Sequence, residues 1–482
     1  MQIEFSKKLT AHETPIPGVV LYDLPVHGDN RGWFKENWQR EKMVALGLPD
    51  FRPVQNNISF NEKAGTTRGI HAEPWDKFIS VATGRIFGAW VDLREGPSFG
   101  AVFTAELDPS QAIFIPRGVG NAFQTLEDNT AYTYLVNDHW SADAQGQYTF
   151  LNLADETAAI TWPVPLEEAE LSDKDRAHPR LADVVPMPAK KILVVGADGQ
   201  LGKALRELYD GDATVEFAGR AGFDLGSEAS FTERNWKNYS TIINAAAYTA
   251  VDTAETAEGR AAAWAVNVAA VARLARTAVD HDLTLVHVSS DYVFDGVRES
   301  HDETEPFTPL GVYGQTKAAG DAVVSVVPRH YIVRTSWVIG EGNNFVRTMA
   351  SLAGRGIEPS VVNDQIGRLS FTQDIAAGIR HLLESEAEYG TYNLSNDGEP
   401  QSWAEIAGDV FEFSGQPRTA VTGVSTEEYF KGKAAAPRPL NSVLDLTKVK
   451  AAGFVPPPSV ERLAQYLNIH VQGTTTERNR RR

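Results

Sequence analysis

Lys190-Lys191-Ile192-Leu193-Val194-Val195-Gly196-Ala197-Asp198-Gly199-Gln200-Leu201-Gly202-Lys203-Ala204-Leu205-Arg206-Glu207-Leu208 decides the fold. The apolar run through Val195 predicts a short buried strand, and Lys203 to Leu208 predicts a helix. Three glycines lie between them. A strand, a glycine loop and a helix in this order form the usual first unit of a nucleotide-binding α/β domain, whose loop N–H groups and helix dipole hold a pyrophosphate. Such domains start at their own first strand. Everything before about residue 190 is therefore a different domain, and the chain has two jobs.

Composition sets the bounds. A length of 482 residues allows two or three domains with substantial cores. The net charge of −18 disfavours nucleic acid or an anionic membrane as partner. The chain has no cysteine, which excludes disulfides, thiolate catalysis and cysteine metal sites. No apolar stretch reads as a signal core or membrane span, so a cytoplasmic location is expected.

The two halves differ in texture. Before about residue 160, short alternating runs such as Phe78 to Ala82, Ile86 to Leu93, Ala112 to Pro116 and Thr130 to Val136 are broken by glycine and proline. They predict an all-β sandwich or barrel. Pro163 to Pro188 reads as a covering segment followed by a linker. From Lys190 onward, Thr241 to Ala246, the alanine-rich Ala254 to Val279 and Leu283 to Val288 alternate strand and helix. That alternation predicts a parallel sheet with helices on both faces. The expected boundaries are 1–185, a linker at 186–189, 190–470, and a basic tail at 471–482.

In the second half, Tyr313-Gly314-Gln315-Thr316-Lys317 places a phenol and an ammonium on one helix face. The ammonium is expected to lower the phenol, making Tyr313 a proton donor to a carbonyl oxygen that receives hydride. Ser289-Ser290-Asp291-Tyr292 follows a strand; Ser290 can bond the same carbonyl and Asp291 can assist. Arg220, about twenty residues past the glycines, suits a 2′-phosphate and favours NADPH, with NADH the alternative.

The glycine spacing resembles the extended short-chain dehydrogenase/reductase family. Asn244 to Asp252, Ser290 to Gly296, Arg334 to Val338, Val362 to Gly367 and Arg438 to Ser442 resemble the dTDP-4-dehydrorhamnose reductases, in order, over about Lys190 to Leu467. The resemblance implies a Rossmann-type domain with a small substrate-binding subdomain. It also implies reduction of a 4-keto-6-deoxy sugar nucleotide. Gly196, Gly199, Gln200, Leu201, Gly202, Asp224, Leu225, Ala245 and Ala246, with Arg220, Tyr313 and Lys317, are expected at the cofactor, and Tyr248, Trp337 and Arg438 at the substrate.

In the first half, a lone His71 in Arg68-Gly69-Ile70-His71 is by itself more often structural, and no second histidine follows two residues on to suggest a cupin metal. Its neighbours extend the reading. Asp29 to Glu36, Gln55 to Ser59, Thr67 to His71, Val91 to Gly100 and Leu171 to Asp175 resemble dTDP-4-dehydrorhamnose 3,5-epimerases, over about Val19 to Val184. The resemblance implies a metal-free cupin-like (jelly-roll) barrel, usually a homodimer. It makes His71 the base that removes protons next to a C4 ketone, Asp175 its orienting carboxylate and Lys77 the enolate stabiliser. Arg31 and Arg68 become diphosphate contacts, and Phe34, Glu36, Gln55 and Asn57 line the nucleotide pocket. Three features depart from the family: the segment from His71 to Lys77 is short, Asn121 replaces a histidine, and the family's acid tyrosine aligns with Trp140.

Together these readings predict a bifunctional enzyme of dTDP-L-rhamnose synthesis, epimerase first and reductase second. The competing reading keeps the reductase and makes the first domain a degenerate or single-centre module. A third keeps both enzymes and changes the sugar or base.

Overall fold

The computed structural model describes residues 5, 7–139 and 146–468. It divides into two compact units, Met1–Ala189 and Lys190–Arg482. Among the described residues no helix is long and apolar enough to cross a membrane.

The first unit is a sandwich of two antiparallel sheets. One orders Thr10–Glu13, Val20–Asp23, Gln111–Ile115, Lys77–Thr83, Thr130–Val136 and Gln55–Asn61; the other orders Thr149–Phe150, Thr67–Ala72, Val119–Thr125, Ile86–Asp92 and Val102–Leu107. Alternation places Ile79, Val81 and Ile113 of one sheet against Trp90, Leu107 and Phe123 of the other. This is the all-β domain expected from the alternating runs, in the jelly-roll, cupin-like form that the family resemblance implies. Ile86–Asp92 is buried along nearly its whole length because its second face is covered too. Leu151, Leu153, Trp162, Leu181 and Val184 close over Ile70, Ala89 and Val91 there. Each such side chain contributes roughly 1.5–3 kcal/mol on burial. The covering segment thus fixes Asp173–Arg176, a short helix that carries Asp175. Met187, read as linker, is buried and exchanges backbone hydrogen bonds with Leu93 and Glu95, so it is tied to this unit.

The second unit is a six-stranded, all-parallel sheet ordered Val215–Ala218, Lys191–Val195, Tyr239–Asn244, Thr284–Ser290, His330–Thr335 and Gly390–Asn393. Helices pack on both faces, one around Leu193, Ile242, Leu274 and Leu285, the other around Val194, Leu205, Ile243 and Ile379. The chain runs outward in both directions from Lys191–Val195, which creates a crevice at the carboxyl ends of the strands. A smaller core of Ile339, Val346, Met349, Ile406, Phe411 and Leu463 forms the expected subdomain. The alanine-rich stretch is two helices, Ala257–Trp264 and Ala270–Asp280, joined by a π turn, Ala265–Ala269.

Candidate active sites

The first unit holds a cavity of about 940 Å³ between its sheets. His71 enters from Thr67–Ala72 and Lys77 from the first residue of Lys77–Thr83, so the two sheets deliver one group each. Asp175 arrives from the covering segment. Ser172 caps its helix by accepting from the Asp175 N–H at 3.1 Å, which orients the short turn. The Asp175 carboxylate accepts from His71 Nε2 at 2.9 Å. An ionised carboxylate only accepts, so Nε2 carries the hydrogen and Nδ1 is left as the acceptor that can take a proton. Burial alone would raise Asp175, but the His71 hydrogen bond and charge and the Gly69 N–H outweigh it, and the carboxyl sits below its ordinary value.

Lys77 is almost wholly buried and pairs with Glu73 Oε2 at 2.5 Å, while Trp75 Nε1 donates to the same oxygen at 2.6 Å. Lys77 Nζ also stands 5.3 Å from the centre of the Tyr134 ring. Asn121 is locked in place: Trp90 Nε1 donates to its Oδ1 at 3.0 Å and its Nδ2 donates to the Tyr132 hydroxyl at 3.1 Å. Trp140 lies outside the described residues. The cavity is nevertheless lined by three phenols, Tyr132, Tyr134 and Tyr148. Burial, with Glu73 adding to it, pushes Tyr134 up to about 12, so it keeps its proton.

Sequence reasoning missed Glu73, Tyr134 and His178. His178 lines the cavity, stacks on Phe150 at 4.7 Å and lies 3.9 Å from Asp175 Oδ1. Burial first, then the charge of His71, lowers it. The second imidazole absent from the sequence beside His71 thus comes from a hundred residues away. His71, Asp175 and His178 offer ligand atoms within 4.8 Å of one another and could hold a metal ion.

Of the residues expected at the nucleotide, Arg68 lines the cavity and the others do not. Arg31 and Phe34 belong to an exposed hairpin, Val26–Asp29 with Gly32–Lys35, where Arg31 pairs with Asp29 at 2.5 Å. Glu36 pairs with Lys42 at 2.5 Å. Gln55 donates to Asn57 at 2.7 Å on the edge strand Gln55–Asn61.

In the second unit the glycine loop sits at the crevice. Gly196 has φ +79°, and a Cβ there would stand 2.6 Å from the Ala246 nitrogen; a Cβ on Gly202 would stand 2.3 Å from the Gly196 oxygen. The loop, the helix Gln200–Leu208 and the Ala245-Ala246 turn are therefore in backbone contact. Gly199 caps the helix without a side-chain hydrogen bond, leaving the first N–H groups, near Gln200 and Leu201, available to an anion. Arg220 is exposed just past Val215–Ala218. Leu225 is core, while Asp224 turns the chain by accepting from the Gly226 N–H at 2.8 Å.

Ser290 ends its strand and donates to Asp291 Oδ1 at 2.9 Å. Tyr313 and Lys317 sit on the helix Val312–Val324, and Lys317 Nζ donates to the Val288 carbonyl at 2.7 Å. Burial raises Asp291 to about 6 and lowers Lys317 to about 8. It also pushes Tyr313 up to about 12, against a Ser290 contact that favours the phenolate. The expectation that Lys317 lowers this phenol is corrected: burial is the largest influence on it and raises it, so the phenol keeps its proton. Tyr248 packs with Tyr313 around Val312 and is pinned by Asn267, whose Oδ1 accepts its N–H at 2.8 Å. Trp337 stacks on Trp403 at 3.8 Å, and Arg438 Nη2 donates to both Asp252 carboxylate oxygens at 2.8 and 2.9 Å.

Both units match known families. The family described as RmlD substrate binding domain matches residues 190–471, and that described as dTDP-4-dehydrorhamnose 3,5-epimerase matches residues 13–183. A Protein RmlC homolog of Streptococcus pyogenes is 50% identical over 194 residues, 39% of this chain and 98% of the relative. A dTDP-4-dehydrorhamnose reductase of Aggregatibacter actinomycetemcomitans is 35% identical over 299 residues, 58% of this chain and 99% of the relative. The crystal structure of the Bacillus anthracis dTDP-4-dehydrorhamnose reductase in complex with NADP is 34% identical, with a TM-score of 0.54 over 58% of this chain and 99% of that one.

Proposed function

We propose, because the chain belongs to both the dTDP-4-dehydrorhamnose 3,5-epimerase family and the RmlD reductase family, that it is a bifunctional enzyme of dTDP-L-rhamnose synthesis. Its first unit epimerises dTDP-4-dehydro-6-deoxy-D-glucose at C3 and C5, and its second reduces the C4 ketone. The observation that carries the first step is the His71–Asp175 pair beside a buried Lys77 in one cavity. The C4 ketone acidifies both neighbouring C–H bonds. His71 Nδ1 takes the proton, Asp175 steadies the imidazolium, and Lys77 stabilises the enolate oxygen. We assign return of a proton on the opposite face to Tyr134, a phenol kept protonated beside Lys77. No step uses a metal.

For the second step, NADPH supplies the hydride when bound, as suits a relative solved with NADP. The glycine loop and uncapped helix start fit its pyrophosphate, and Arg220 fits a 2′-phosphate. Tyr313 gives its proton to the C4 oxygen, Ser290 turns its one O–H from Asp291 to hold that oxygen, and Lys317 supplies the positive field. Incubating the chain with substrate in D₂O tests the first reading. Deuterium at both C3 and C5 is expected; none at either would leave only the reductase.

The homodimer is part of the proposal. Arg31 and Phe34, on an exposed hairpin, and Glu36 just after it lie away from the cavity of their own chain, which supports their service in a partner's cavity. Mixing a His71→Ala chain with an Arg31→Ala chain should then restore epimerisation, since one cavity of the mixed dimer has both groups. No restoration in a confirmed mixed dimer would place Arg31 in its own chain's site or nowhere.

A further inference from the structure

Beneath the hydride site lies a sealed group of charges to which the reduction scheme gives no task. Tyr313, Lys317 and Asp321 recur every four residues on Val312–Val324 and share a face. Asp321 is 1% exposed, and its Oδ2 accepts from Arg334 Nε at 3.0 Å. Arg334 is itself fixed, donating to the Glu303 carbonyl at 3.1 Å and lying 5.2 Å from the rings of both Phe294 and Phe307. Asp321 Oδ1 stands 4.0 Å from His287 Nε2, and neither atom has a hydrogen-bond partner among the described residues.

The tautomer of His287 follows from its other nitrogen. The Ala246 N–H donates to Asn244 Oδ1 at 3.2 Å, which turns the Asn244 amide nitrogen toward His287 Nδ1 at 3.1 Å. An amide nitrogen only donates, so Nδ1 accepts and the ring hydrogen is on Nε2, on the side of Asp321. Burial, then the charge of Lys317, holds His287 far below its ordinary value, so it is neutral. The anion of the cluster is Asp321; its cations are Lys317 and Arg334. Burial raises Asp321, and Arg334 leads the charges that oppose this.

We infer that Asp321 is a positioning residue of the reductase: anchored by Arg334 and facing the neutral His287, its carboxylate holds the Lys317 ammonium charged and in place one turn from Tyr313. The inference rests on the roles proposed above for Tyr313 and Lys317. Burial drives Lys317 downward, and Asp321 is the charge that acts against it. On the helix of this ammonium stand Tyr313 and Asp321; His287 on Thr284–Ser290 feels its charge, Arg334 on His330–Thr335 binds Asp321, and Asp291 in the turn after Ser290 acts on Tyr313. The neighbouring segment Ala265–Ala269 brings the neutral Asn267, Ala257–Trp264 brings Ala263, and Glu255 accepts from the Val312 N–H at 2.8 Å at the helix start. Through Asn244 and Ala246, His287 is hydrogen-bonded to the turn proposed to meet the cofactor.

The test is the pH profile of NADPH oxidation by the full chain, with pre-epimerised substrate. Asp321→Asn should move the alkaline limb to lower pH by on the order of one unit, with the loss in kcat and KM for the sugar little changed. His287→Gln and Asp321→Glu keep the carboxylate charge and should leave the limb where it is, even where kcat falls. An unmoved limb in Asp321→Asn overturns the inference, as does an equal shift in either charge-preserving variant. If Asp321→Asn fails to bind NADPH, as read by fluorescence titration, Asp321→Glu carries the test: an unmoved limb supports the inference and a shifted one overturns it. Failure of the underlying reading looks different, because Lys317→Met and Tyr313→Phe would then still oxidise NADPH.

Discussion

Each unit buries one lysine beside a tyrosine, and the two lysines are held in opposite ways. Lys77 has a carboxylate in contact, Glu73 at 2.5 Å, and a phenol ring 5.3 Å away. Lys317 has a backbone carbonyl at 2.7 Å, with its carboxylate a full turn down the helix. A carboxylate in contact fixes a cation's charge and position but spends part of its field. A carbonyl leaves the field intact and lets burial pull the group toward neutrality, to about 8 for Lys317. The first arrangement suits a cation that must stay put while an enolate forms twice. The second suits a cation whose full field is needed at one oxygen.

The sharpest break in this comparison separates the chemistries. Tyr313→Phe should reduce NADPH oxidation by on the order of 10³-fold while deuterium incorporation at C3 and C5 continues. His71→Ala should abolish incorporation by a similar factor and leave oxidation of pre-epimerised substrate intact. If either change removes both activities from a folded chain, the two sites are not independent.

The next effect is on the Glu73–Lys77 pair. Lys77→Met should lower epimerisation about 10²-fold and, by leaving the largely covered Glu73 carboxylate with Trp75 but no cation, destabilise the chain by roughly 2 kcal/mol. Adding Glu73→Gln should recover most of the stability, read as Tm, and none of the activity. Recovery of activity would mean that Lys77 is a structural cation only.

The glycine loop, the Tyr313–Lys317 helix and the alternating strands were legible because each is a local pattern with its own period. Glu73, His178 and Asp321 were not, for physical reasons. Glu73 stood in view in His71-Ala72-Glu73, but nothing local says that its carboxylate meets Lys77 rather than water. His178 reaches His71 and Phe150 only because Leu181 and Val184 fasten the covering segment to the sheet. Asp321 has a legible signal, its four-residue interval from Lys317, yet its partners Arg334 and His287 come from two other strands. The resemblance also ran ahead of one chain's geometry, since Arg31, Phe34, Glu36, Gln55 and Asn57 do not line the cavity that holds His71. Residues that act together need not fold together.

The lysine contrast also has a pH signature in the second unit. Oxidation of NADPH needs Lys317 protonated, so its rate should fall as pH rises through about 8. Asp291 loses its charge as pH drops through about 6, and with it the acceptor that fixes the Ser290 turn before the sugar arrives, so the rate should fall there. A steady-state profile flat from pH 5 to 9 would show that neither group titrates in the working enzyme.

The smallest expected effect compares two exposed arginines. Arg31 already forks onto Asp29, so a phosphate must compete with a carboxylate for it. Among the described residues Arg220 forms no ion pair, and the Asp198 carboxylate lies against the neighbouring Gly219. A guanidinium left open in this way recognises a phosphate at low cost in reorganisation. Arg220→Ala should therefore raise the KM for NADPH by about tenfold and leave that for NADH unchanged, since only the former carries the 2′-phosphate. Equal effects on both cofactors would move Arg220 from the adenosine phosphate to the general field of the crevice, and the NADPH preference would then need another cation.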